Sequence, residues 1–381
     1  TNGVGNGVTE FFPLSQKAVM VVDVKADVFT YVVPAKVKNA GDSNKEYEVR
    51  LWADYGLQHA PANVKFEEIV FRNQLDYVGL NAFEKADGSS TVKRIFFTCK
   101  KPAKDMSATK WEYGNAQHEF KSDLKIYVKK SVENAYKTAT GWTDYAGVID
   151  YKIKDEVKIA HQYGTFAREF DADLGIYARE NGDNGRIGAF IAQTGDLKKG
   201  TVAGNEVIKC MMKSINYNTN VPAYDYVPAE TGVLLESRSG LQTPADFYYA
   251  IGEEDNTTYT IANNVMEGVT VKNKKMQLTS SDATVFAMTK SGLFKPLKLN
   301  VVHNLPVHKA VAKLQVSTSS PAKVMFVFDD GSSIDAETTG IEHIANTTAA
   351  DDNVYYNLQG QRVEHPQHGV FIHNGKKVVL K

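Results

Sequence analysis

Strand-length apolar runs bounded by turn residues recur from one end of this chain to the other. Nothing else limits the possible folds as much. MVVDV, FTYVVPAKV, EEIVF, KRIFF, LKIYV, GAFIA, EVIKCMM, TGVLLE, DFYYAI, TVFAM, LKLNVV, VMFVF and GVFIH are such runs, each with the length and the β-branched or aromatic content of a strand. Between them stand the turn signals Asn181-Gly182, Asp183-Asn184-Gly185, Asp330-Gly331 and Asn374-Gly375, whose residues tolerate the positive φ that tight hairpins need. Stretches of 3.6-residue period are scarce. The best helix lies at residues 131–140, with Ser131 placed to cap it and Glu133 in the first turn. The expected class is mainly β with minor helix.

The first third repeats itself weakly. Val64-Lys65 leads into Glu68-Ile69-Val70-Phe71, Val92-Lys93-Arg94 into Ile95-Phe96-Phe97, and Leu124-Lys125 into Ile126-Tyr127-Val128. From Ile69 to Ile95 is 26 residues and from Ile95 to Ile126 is 31, in or near the period of about 20–29 residues found in leucine-rich solenoids. A coil that short cannot bury its own apolar face, so stacked neighbours would supply the core. Between the first two strands, LDYVGLNAFEKA offers Val78, Leu80 and Phe83 as inward residues.

LDYVGLNAFEKA also resembles the L-x-x-I-G-x-x-A-F-x-x coil of the bacterial surface protein A-like (BspA-like) leucine-rich repeat family, with Val78-Gly79 and Ala82-Phe83 at the signature positions. The stretch FTYVVPAKVKNAGDSNKEYEV, with Val33-Pro34 and then Lys45, Tyr47 and Val49, resembles that family's opening strand. Tyr136, Trp142 and Tyr145 match its Y-K-x-x-x-x-W-x-D-Y ending, after an insertion at residues 100–121. Downstream, Thr165, Phe166, Asp173 and Leu174, then Val227-Pro228-Ala229 and Thr231 to Leu235, resemble phrases of the β-domain that follows such repeats in secreted proteins of Gram-negative gut and oral anaerobes; Asp173 and Leu174 stand in the reverse of the usual order. With VPVHKAVAKL, PAKVMFVFDDG and TTGIEHI, the resemblance covers most of the chain. It implies a short degenerate leucine-rich β-solenoid over residues 1–150 and an all-β, sandwich-like domain over residues 151–336.

Residues 337–381 then comprise a Thr- and Ala-rich linker, at 346–352, and a small β module. Short strands at 354–358, 361–363, 369–373 and 376–380, joined by turns at 366–369 and Asn374-Gly375, are too few to be stable alone in water. Tyr356, Asn357, Leu358, Gly360, Gly369, Asn374, Gly375, Lys376 and Lys377 resemble the C-terminal cell-surface sorting modules of proteins exported by those anaerobes, although this module is shorter. The resemblance implies export to the cell surface or the medium. The opening TNGVGNGVTEFF has neither a charged n-region nor an apolar h-region, so a signal peptide is expected to be absent from this stretch.

Charge and hydropathy exclude some partners. Lys+Arg 44 against Asp+Glu 45 gives a net charge of -1, so no overall field favours nucleic acid or an anionic membrane, and partner choice falls to local patches. The longest apolar runs, such as residues 18–22, fall far short of the roughly 20 residues that span a bilayer. Cys99 and Cys210, far apart in strand-like contexts, suit two buried thiols better than a disulfide.

Catalytic motifs fail on inspection. His118-Glu119 begins an H-E-x-x-H, but Ser122 stands where the second histidine belongs. Gly41-Asp42-Ser43 suits a turn better than an esterase block, and the glycines of TNGVGNGV neither follow a strand nor open a helix. Glu169, Asp171 and Asp173 alternate as a strand would place them on one face; a solvated face, a cation site or a pair of glycosidase carboxylates would all use that pattern. The turns at 182–185 and 329–335 could wrap calcium or close hairpins, without EF-hand spacing. His365, His368 and His373, with His343 nearby in sequence, read as solvated turn residues rather than ligands. No cofactor or metal is implied.

Tyr224, Tyr226, Phe247, Tyr248 and Tyr249, in AYDYVP and DFYYAI, are the candidate recognition residues, a stacking platform for a glycan or a hot spot for a protein. The expected function is non-enzymatic: a surface or secreted binding or adhesion protein that contacts host or neighbouring macromolecules, its partner an extracellular protein or glycan. Glycan capture for nutrient uptake and glycoside hydrolysis through Glu169 are the alternatives.

Overall fold

A computed structural model describes residues 4–5, 9–13, 18–24, 29–39, 41–53, 57, 67–79, 83, 91–103, 105–106, 112–113, 116–117, 124–154, 157, 159, 163–182, 185–202, 204–215, 226–237, 246–253, 261–270, 274–279, 284–289, 292–315, 323–329, 331–336, 355–356, 362–363, 369–373 and 376–380. The protein is mainly β. Its contacts divide it into a large unit, Thr1–Ala336, and a small one, Glu337–Lys381.

The repeated segments of the first third form one parallel sheet. Its strands are β1 (Thr30–Val33), β2 (Glu68–Phe71), β3 (Arg94–Phe97), β4 (Lys125–Val128) and β5 (Ile149–Asp150), side by side in that order. Register places Tyr31, Ile69, Ile95, Ile126 and Ile149 in one continuous column. The isoleucine spacing is therefore the spacing at which the chain returns to the same position on the sheet.

Alternation along a strand sends Tyr31, Val33, Ile69, Phe71, Ile95, Phe97, Ile126 and Val128 to one face. There they pack with Trp52, Phe83, Tyr136, Trp142 and Tyr145 in the first core. Phe71 and Phe97 stack with centroids 4.7 Å apart, and Trp142 meets Phe97 and Tyr136 edge to face. The opposite face presents Val32, Val70, Phe96 and Tyr127 to a second core with Ile153, Phe166, Phe170 and Tyr249. Because both faces are covered, EIVF, RIFF and KIYV read as continuous apolar runs rather than alternating ones.

The short helix Glu133–Thr138 follows β4. Ser131 does not cap it. Val132 occupies the cap position without a side-chain bond, while the Ser131 amide donates to the Glu253 carboxylate at 2.9 Å and its hydroxyl to the second oxygen. A carboxylate brought in from a distant loop outcompetes the local cap.

Beyond β5 the sheets are mostly antiparallel. Tyr163–Phe166, Val233–Ser237, Ile187–Ile191 and Lys213–Ser214 form one sheet in that order. Tyr248–Ile251 lies between Ile153–Lys154 and Ala172–Asp173 in another. An eight-stranded sheet runs from Leu197–Val202 at one edge to Met266–Val269 at the other and includes Lys323–Val327 and Ser333–Ala336. These last two pair through the turn at Gly331, whose φ of 84° favours glycine.

In the small unit, Tyr355–Tyr356 lies between Arg362–Val363 and Gly369–His373, and the latter pairs with Lys376–Leu380. Tyr356 stands opposite Arg362 and Ile372, Gly369 opposite Leu380, Lys376 opposite His373 and Lys377 opposite Ile372. Asn357, Leu358, Gly360, Asn374 and Gly375 lie outside the described residues, as do His343, His365, His368 and the His118-Glu119 pair. No helix among the described residues is long and apolar enough to cross a membrane.

Candidate functional site

Among the described residues, a set of ionisable groups is buried between the parallel sheet and the strands that cover it. Glu68 opens β2 with its side chain fully enclosed; Thr30 flanks it on β1 and Arg94 on β3. From the covering layer come Arg168 and Glu169, just past Tyr163–Phe166, and His308, in the turn between Val302–Leu305 and Lys309–Leu314. His308 has φ 61°, a left-handed conformation that costs a side-chain-bearing residue about 1–2 kcal/mol. Its backbone N–H donates to the Val269 carbonyl at 2.7 Å, which fixes the turn that aims the ring inward.

Arg168 is the centre of the set. Its Nη2 donates to Glu68 Oε2 at 3.1 Å, its Nη1 reaches His308 Nδ1 at 3.0 Å, and its Nε lies 3.2 Å from Glu169 Oε2. Phe96 and Phe170 each hold their ring centroid 4.7 Å from the guanidinium carbon, adding a cation-π component to the enclosure. Arg94 pairs with the other oxygen of Glu68, and Thr30 Oγ1 donates to Glu68 Oε2 at 2.9 Å. A guanidinium can only donate, so His308 Nδ1 accepts from it. His308 Nε2–H then donates to Glu169 Oε1 at 2.9 Å.

These contacts fix the state of Glu169. Burial alone would raise its pKa, but the Arg168 charge and the His308 hydrogen bond outweigh that and lower it from 4.5 to about 2. The carboxylate is ionised at neutral pH and enclosed, so it cannot act as a general acid. Glu68, Glu169 and His308 bring ligand-type atoms within 4.8 Å of one another, as a metal site would. The donor set nevertheless fits no cation, because Arg168 already supplies the positive charge in that space.

Glu169, Asp171 and Asp173 therefore do not share a solvated strand face. Only Ala172–Asp173 is strand, and each carboxylate has its own partner. Asp171 Oδ1 accepts from the Ala229 amide at 2.8 Å, and Asp173 accepts from the Gly175 amide at 3.0 Å and pairs with Arg179.

The candidate recognition aromatics are interior as well. Tyr226, Phe247, Tyr248 and Tyr249 are 0–6% exposed, and Tyr224 lies outside the described residues. Tyr248 donates to Glu180, and burial together with that carboxylate pushes its own pKa up to about 12. Glu180 also accepts from Tyr151 at 3.0 Å and from Lys130 Nζ at 2.7 Å, while Lys152 lies over the Tyr248 ring at 4.7 Å. These rings hold the core and its margin together and offer no stacking platform.

Sequence reasoning missed Arg168, Glu68 and His308. Only one local signal pointed to them: the charged pair Arg168-Glu169 lies inside the apolar run Phe166-Ala167…Phe170, where ionised residues must find partners. Compared with family models, curated proteins and solved structures, the chain gives no match in any of the three.

Proposed function

We propose that this is a non-enzymatic binding protein of the cell surface or the extracellular medium, built on a short BspA-like solenoid whose sheet is closed by a sandwich-like β-domain. The observation that carries this reading is the register column Tyr31, Ile69, Ile95, Ile126 and Ile149, the arrangement that stacked leucine-rich coils require. The four-stranded terminal sheet agrees with a sorting-like module, and so with export.

The ligand has to reach another surface than the one long repeat arrays use. Val70, Phe96 and Tyr127 are 0–7% exposed beneath the β-domain, so the solenoid serves as a rigid support. Hydrolysis through Glu169 is disfavoured by its enclosure and its ionisation. Glycan stacking on Tyr226 and residues 247–249 is disfavoured by their burial.

The test is a binding screen of the intact chain against extracellular matrix proteins and a polysaccharide array. Saturable capture of a protein supports the proposal; binding restricted to polysaccharides replaces it with glycan capture, and turnover of a polysaccharide overturns it. Truncation at residue 150 is unsuitable, because it would strip the second core from Val70, Phe96 and Tyr127.

A further inference from the structure

Charge is unevenly distributed along this chain. Between residues 271 and 328 there are nine lysines and one acid, Asp282, with no arginine and no glutamate. A local excess of eight positive charges thus sits in a protein whose net charge is -1. The same stretch contains the exposed large apolar side chains of the described residues: Leu299, Val301 and Val302, at 38%, 43% and 52% exposure.

The fold brings two of these lysines, Lys275 and Lys298, to the exposed aliphatic residues. Lys274–Gln277 pairs with Val302–Leu305, setting Gln277 opposite Val302 and Lys275 opposite Asn304. All four of these side chains are exposed, whereas Leu278 and Leu305 turn inward to a small core with Val269, Val285 and Val311. One face of the ribbon is therefore anchored and the other is open. Leu299 bridges to Leu278 beside it, and the Lys298 carbonyl meets the His303 ring at 3.0 Å, which holds the connecting turn against the ribbon. Lys275 and Lys298 pair with no acid among the described residues.

Exposed aliphatic residues beside lysines without acidic partners match the chemistry of an anionic bilayer surface. Aliphatic side chains gain by entering the boundary between headgroups and acyl chains, and lysines gain by meeting lipid phosphates. Three aliphatic residues fall well short of the roughly 800 Å² per partner that a stable protein interface covers. Nucleic acid or a polyanionic glycan would use the lysines and leave the valines in water.

We propose that Leu299, Val301 and Val302, flanked by Lys275 and Lys298, form a membrane-surface docking patch selective for anionic lipid. This goes beyond the binding role proposed above and does not depend on it. The ribbon rests on its own small core, and Lys275, Lys298, Val301 and Val302 are exposed, so substituting them leaves the fold intact.

Flotation of the intact protein with vesicles of phosphatidylcholine, with and without phosphatidylglycerol, tests the patch. Binding is expected only to the anionic vesicles and is expected to weaken as salt is raised. The pair Lys275→Gln and Lys298→Gln is expected to lower affinity about fivefold for each lysine, and the pair Val301→Ser and Val302→Ser about tenfold, with circular dichroism unchanged. Failure to float with anionic vesicles, or equal flotation of both double variants and the parent, overturns the proposal. Retention on immobilised polyglutamate that matches vesicle binding and is indifferent to the valine substitutions also overturns it, and assigns the patch to an acidic macromolecule.

Discussion

Arg168 and Glu68 meet at 3.1 Å with both side chains fully buried, although they lie 100 residues apart in the chain. This pair joins the parallel sheet to the layer that covers it. A buried pair gains little over a well-packed apolar substitute, but removing one partner strands the other. Arg168→Met would leave Glu68 and Glu169 without their main countercharge. The expected loss is about 3–5 kcal/mol, read from the midpoint of urea unfolding by the fluorescence of buried Trp52 and Trp142.

Acid should unfold the protein partly through Glu169. Its folded-state pKa lies below its ordinary value of 4.5, at about 2, so the folded state gains stability from this group above pH 4.5. That contribution is lost as pH falls through the window from 4.5 to 2, where the unfolded chain takes up the proton first. Among the described residues, Arg168 and His308 contact its carboxylate, Glu68 lies beside them, and Arg72 donates to its backbone carbonyl. Glu169→Gln is expected to lower stability at neutral pH and to flatten its fall between pH 4.5 and 2, measured by denaturant titrations across that range.

Gly232→Ala should be costly without touching a charge. A methyl group there would stand 2.6 Å from the Gly268 nitrogen and from the Met266 carbonyl oxygen, both backbone atoms that cannot swing aside. About 1–3 kcal/mol of destabilisation is expected. Gly195→Ala, with nothing within 4 Å, should change the melting transition by less than about 0.5 kcal/mol.

Neither thiol should react in the native protein. Cys99 and Cys210 are free and buried; burial raises both pKa values, that of Cys210 to about 12, which suppresses the reactive thiolate. Titration with a thiol-reactive dye should show no labelling in buffer and two equivalents in denaturant.

The three inner strands of the parallel sheet, β2, β3 and β4, were legible because their signal is local. Each of these carries its own apolar run, and the isoleucine spacing from 69 to 95 to 126 marks their repetition before any contact is known, whereas the two-residue edge strand Ile149–Asp150 has no such run. The free, buried thiols followed in the same way from the apolar contexts of Cys99 and Cys210. The ionic cluster was illegible because nothing near Glu169 names Glu68 or His308 as its partners. Alternation of three acids looked like an exposed strand, yet irregular backbone at 169–171 turns each carboxylate a different way. The aromatics of DFYYAI erred in the opposite sense: a continuous apolar run is itself the signature of an enclosed strand, and their rings fill the core.

Thr30 and His308 face each other across 278 residues of sequence, at the two ends of the cluster that Arg168 centres. A chain emerging from the ribosome has made Glu68 and Arg168 long before His308 exists. A chain that stops short of residue 308 therefore lacks the acceptor for Arg168 Nη1 and the donor to Glu169 Oε1, and leaves the cluster incomplete.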